Sequence, residues 1–141
     1  WGVDAAVWSV TSWHELRRDG MESDRHNLIH ADEEYRLPYV TQRLRNATGP
    51  VIATSDYDHL IPDMIRPWVP GRYKVLGASD FGYSDTRAAA RRHFLIDAES
   101  LVVQALEALN EDGVLQDRSV VTQALNRYDL LNPNAGSSGE Q

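Results

Sequence analysis

His26 and His30 stand four residues apart, with Asp32, Glu33 and Glu34 close behind. On a helix that spacing puts two imidazoles on one face beside carboxylates, which could hold a divalent metal. The pattern is not HExxH, and a polar surface segment acquires such pairs by chance, so a solvated face is the simpler reading. His59 with Asp56 and Asp58 has the makings of a general base with an orienting carboxylate, although a helix start supplies the same acids for capping. Ser12, Ser55 and Ser84 each follow a strand-like run, but none lies in G-x-S-x-G, so they read as caps rather than nucleophiles. His14 and His93 read as structural, at the start and end of helices respectively.

The spacing Gly77-x-x-x-x-Gly82 lies between a strand-like run and a helix, where a phosphate loop would lie. Tyr83 occupies the position of that motif's lysine, and Asp80 and Asp85 flank the place a phosphate would take. The charge opposes an anion, so the stretch reads as a tight connection in which Phe81 or Tyr83 packs against a neighbour. Arg17-Arg18 and Arg91-Arg92 could grip an anionic ligand or an acidic partner, but read first as surface arginines.

The elements that would position these groups follow from apolar spacing and punctuation. Ala5 to Val10, Val51 to Thr54 and Tyr73 to Leu76 read as strands. A short helix runs from a Ser12/Glu15 capping box to Gly20, followed by a polar surface segment from Met21 to Arg36 with at most one helical turn. Pro38 opens a helix that Gly49-Pro50 stops, and Ser55-Asp56 caps another with a stripe of Leu60, Ile61, Met64 and Ile65. Ser84 or Asp85 caps a helix through Arg92. The clearest helix carries Ala98, Leu101, Val102, Ala105, Leu106 and Leu109 on one stripe, and Asp117 caps the last, with Val120, Val121, Ala124, Leu125 and Tyr128.

Three strands separated by helical crossovers predict an α/β domain around a mainly parallel sheet. Three are few, and a further strand and helix ahead of Trp1 would complete the layers. The expected boundaries are an α/β domain over residues 1–131, incomplete on its N-terminal side, and a tail over 132–141 with nothing to bury.

A chain of 141 residues suffices for one core. Its net charge of −7 argues against nucleic acid or an anionic membrane as a main partner. No run is long enough to cross a bilayer, and the absence of cysteine excludes thiolate chemistry and fits a reducing compartment, so cytoplasm is the expected address. Four tryptophans are many for this length and suit an interface.

Three runs carry a family resemblance: Trp8-Ser-Val-Thr-Ser-Trp-His-Glu-Leu-Arg-Arg-Asp-Gly20, Ser55-Asp-Tyr57 and Gly77-Ala-Ser-Asp-Phe-Gly-Tyr-Ser-Asp-Thr-Arg87. Together, in this order, they resemble the C-terminal domain of the bacterial single-chain homodimeric pyruvate dehydrogenases, thiamine diphosphate-dependent members of the transketolase-like enzymes. The resemblance covers nearly the whole chain. It implies an α/β sandwich around a mainly parallel sheet, lacking here a first strand and helix.

The resemblance further implies a parent enzyme that decarboxylates pyruvate on thiamine diphosphate and reductively acetylates a lipoyl group of the acyltransferase component. The diphosphate and its Mg2+ would be held by other domains, so no catalytic, cofactor-binding or metal-binding residue is assigned to this chain. Its expected partners are the remainder of the same enzyme chain, a homodimer partner and the acyltransferase component, with no nucleic acid and no membrane. Phe81, Gly82, Ser84, Asp85 and Arg87 are the expected interface residues. The alternative is a free-standing, non-catalytic protein-binding α/β module.

Overall fold

A computed structural model of the chain describes residues 1–115 and 117–132. The expected tail from residue 133 onward lies outside the described residues. Helix α1 (Trp13–Ile29) starts on Ser12, whose hydroxyl accepts the Glu15 amide at 3.2 Å. It continues well past Gly20, correcting the expected stop there, because that residue serves a close approach instead: a Cβ on it would lie 2.3 Å from the Trp68 ring. Gly20 and Ser23 are the buried residues of α1, with Leu16 and Trp13 packed against the core one and two turns earlier. Helix replaces the first part of the expected polar surface segment, through Ile29, because its inward stripe is made of small and polar residues, invisible to apolar periodicity, while residues 30–36 are non-helical.

Helix α2 (Tyr39–Leu44) follows Pro38, and strand β1 (Val51–Thr54) follows it. The expected helix with the stripe through Ile65 is divided into α3 (Leu60–Asp63) and a 3₁₀ turn (Arg66–Trp68). Neither Ser55 nor Asp56 caps it: His59 holds the N-cap position without a side-chain cap bond, Asp58 just ahead of it accepts the Leu60 amide at 2.8 Å, and Ser55 accepts the Tyr57 amide in a local turn. Prolines at 62 and 67 prevent a continuous ladder of helical bonds across this region.

Strand β2 (Tyr73–Leu76) pairs parallel with β1, Val51 opposite Tyr73 through Thr54 opposite Leu76. Two parallel strands make up the sheet of the described residues. The expected strand at Ala5–Val10 is not formed, since a strand requires a ladder with a neighbour and this segment has none: Val7 is 94% exposed.

After the loop come α4 (Arg87–His93), α5 (Ala98–Glu111) and α6 (Ser119–Tyr128). Thr86, rather than Ser84 or Asp85, caps α4, and Asp97 caps α5. Two apolar clusters result. Val40, Ala53, Ile65, Val69 and Tyr73 form one between the sheet and the N-terminal helices; Val103, Leu106, Val121 and Ala124 form the other between α5 and α6. Arg72 and Lys74 of the β2 region pair with Glu111 and Asp112, fastening the end of α5 to the sheet. No helix among the described residues is long and apolar enough to cross a membrane.

Arg92 overturns its reading as a surface arginine. It is 4% exposed, pairs with Asp97 and donates to the Tyr128 carbonyl at 3.1 Å, joining α4, α5 and α6. Burial acts to raise the Asp97 pKa, but hydrogen bonds from Ser100 and Arg92 outweigh it and hold the carboxyl below its ordinary value. A carboxyl depressed in the native state stabilises above its unfolded pKa, and that contribution is lost as pH falls through the native value. Acid titration followed by circular dichroism is therefore expected to show wild-type stability falling at the acid end more steeply than that of Asp97→Asn.

Candidate interface site

Because β1 and β2 are parallel, the connections leaving their carboxyl ends emerge side by side, the position where α/β sheets place functional loops. Backbone bonds sew the two connections together: the Ser55 amide donates to Leu76 at 3.0 Å and the Ala78 amide to Tyr57 at 2.9 Å. Gly77 sits directly on the backbone of His59, where a Cβ would fall 2.4 Å from the His59 Cα. The Ser79 hydroxyl lies 2.9 Å from His59 Nδ1.

That contact does not make a catalytic triad. Asp58 approaches the same ring nitrogen, at 3.4 Å, rather than orienting the other one, and its carboxylate already accepts the Leu60 amide. Asp56, the other acid considered for His59, instead accepts from Arg91 at 3.3 and 3.0 Å, tying the β1 connection to α4. His26 and His30 stack with ring centroids 4.7 Å apart, and both face Glu33, at 3.4 and 3.1 Å. Among the described residues no cluster of three or more ligating side chains could hold a metal.

Above the pinned base, the loop projects into solvent. Phe81, Gly82, Ser84, Asp85 and Arg87 are all exposed, and Phe81 reaches 98%. The expected packing of Phe81 or Tyr83 is met by Tyr83, which stacks face to face on His93 at 4.2 Å, with Phe94 edge-on to the same imidazole at 4.9 Å. Asp85 accepts the Thr86 amide at 2.7 Å and Thr86 accepts that of Ala89 at 3.2 Å, fixing the loop's exit into α4. Four of the five expected interface residues thus lie on one exposed loop, and the fifth, Arg87, is the exposed first residue of α4. Sequence reasoning did not find their supports, His59, Ser79, Asp56 with Arg91, and His93, because each pairs with a residue distant in the chain.

The model of the transketolase-like C-terminal domain matches residues 1–97. The chain is also similar to curated relatives described as pyruvate dehydrogenase E1 components. It is 54% identical to that of Mycolicibacterium smegmatis and 56% to that of Mycobacterium tuberculosis, each over 128 residues, 91% of this chain and 14% of the relative. The Escherichia coli K12 protein is 40% identical over 131 residues, 92% of this chain and 14% of its own. The matching stretch is the C-terminal region of these relatives, and the chain spans only about a seventh of their length.

Proposed function

Since the chain belongs to the family of transketolase-like C-terminal domains, we propose that it acts as the interface-forming, non-catalytic C-terminal part of a pyruvate dehydrogenase E1 component. On this reading the parent enzyme is cytoplasmic, decarboxylates pyruvate on thiamine diphosphate with Mg2+ and passes the acetyl unit to a lipoyl group of the acyltransferase component. The cofactor belongs to other domains. Asp80 and Asp85 stand where the strand-to-helix loop would otherwise meet a diphosphate, so no residue here is given a part in holding it. The small sheet is then one part of a wider, mainly parallel sandwich.

The observation that carries the interface role is the 98% exposure of Phe81 on a loop whose two ends are fixed. An exposed aromatic on a loop tied at both ends, with Arg87 at the loop's exit, has the composition of a binding anchor. In the full-length enzyme, Phe81→Ala is expected to weaken dimerisation or inter-domain docking by about 2 kcal/mol, roughly thirtyfold in the dissociation constant. Sedimentation across a dilution series reads this directly, with Arg87→Ala expected to act in the same direction. Unchanged dimerisation, thermal stability and pyruvate turnover in both variants would remove the interface role.

A further inference from the structure

A second surface, formed by the link between α1 and α2 together with α2 itself, has a different chemistry. Tyr35, Arg36, Leu37, Tyr39, Arg43 and Arg45 line an open groove of about 520 Å³. Arg36 lies near Asp19 and Glu22, at 3.6 and 3.9 Å, but no carboxylate of the described residues pairs with Arg43 or Arg45. Arg43 lies over the Tyr39 ring at 5.0 Å instead. On a chain of net charge −7, in which seven other arginines of the described residues pair with carboxylates, Arg43 and Arg45 are exposed, lack such a partner and line the same groove.

The groove is also fixed in place. The Asn27 side chain donates to the Arg36 carbonyl at 2.9 Å and accepts the Arg36 amide at 2.8 Å, clamping the link onto α1. Asp19 accepts the Tyr39 amide at 2.6 Å, and Thr41 donates to the Trp68 carbonyl at 2.6 Å, holding α2. Arginine and tyrosine on a prearranged surface are the side chains that most often anchor protein partners.

We propose that this groove docks an acidic peptide segment of a partner protein, its carboxylates on Arg43 and Arg45 and its apolar side chains against Tyr35, Leu37 and Tyr39. Charge complementarity selects the partner's sign, since guanidinium forks bind carboxylates in pairs of charge-assisted bonds. The two tyrosines and Leu37 favour a peptide over a small inorganic anion, which would leave that apolar surface unused. Asp32, Glu33 and Glu34 precede the groove, but the Glu33 carboxylate is engaged by the two histidines.

The test is fluorescence anisotropy on the full-length protein with a labelled decapeptide of alternating Glu and Leu, against its Gln/Leu counterpart. Saturable binding of the acidic peptide alone, weakened by salt, is expected. The exposed double variant R43A/R45A should lower its affinity at least about tenfold without moving Tm, and R43K/R45K should restore part of the loss. Absence of binding, equal binding of the Gln/Leu peptide, or an unaffected R43A/R45A variant overturns the proposal. So does displacement of the peptide by inorganic phosphate, which would mark a small-anion site. Self-association abolished by R43A/R45A would overturn it in favour of a second copy of the chain. Phe81→Ala leaves peptide binding intact, so failure at the aromatic loop and failure here are separate results.

Discussion

Gly77→Ala is expected to destabilise the fold by about 3 kcal/mol, the upper end of what overpacking usually costs. The added methyl would lie 2.4 Å from the His59 Cα and 2.5 Å from its amide nitrogen. Both are backbone atoms, so no rotamer change relieves the clash and the β2 connection must move away from the start of α3. That movement breaks the Ala78-to-Tyr57 bond and the Ser79–His59 contact, which set the base of the exposed loop. Urea unfolding should show a lower midpoint with an unchanged slope. His59→Ala in the same chain provides the control, because it removes the imidazole and leaves the clashing backbone. If His59→Ala restores the stability of Gly77→Ala, the obstruction is the side chain and the close approach of backbones is not what requires glycine.

The parts of this fold that could be read from sequence are those whose burial is apolar and local. The β-formers of Val51–Thr54 and Tyr73–Leu76 and the stripe of Ala98–Glu111 announce themselves by residue type and spacing. The second half of α1 does not, since Gly20 and Ser23 carry its buried face and a polar exterior surrounds them. Ala5–Val10 has strand composition, yet composition cannot supply the neighbour that a ladder needs.

For the candidate site, the loop itself was legible as a glycine-marked stretch between strand and helix. Which aromatic would find a ring partner was not: Tyr83, itself still exposed, stacks on His93 only once α4 folds back beside the loop, and Phe81 has no such partner. The doublets Arg17-Arg18 and Arg91-Arg92 look alike in sequence, but their chemistry differs in the fold. Arg18 pairs with Glu15 on the surface, whereas Arg92 is buried. Arg43 and Arg45 gain their interest from lacking carboxylate partners, a property that exists only in three dimensions.

Arg92→Ala is expected to cost 3 kcal/mol or more, the approximate loss on removing one partner of a buried ion pair. The guanidinium is spent on Asp97, on the Tyr128 carbonyl and, more distantly, on Glu99 at 3.6 Å. Its loss leaves the carbonyl at the end of α6 without this donor and Asp97 with only the Ser100 amide in support. Arg92→Met keeps much of the side-chain volume, so the difference between the two variants separates lost packing from lost charge. If the charge dominates, methionine recovers little. The acid limb offers an independent check. Without Arg92 the Asp97 carboxyl loses one of the bonds that lower its native pKa, so less stability should disappear as pH falls in either variant than in wild type. Equal acid slopes in wild type and both variants would mean that Arg92 joins the three helices by shape alone.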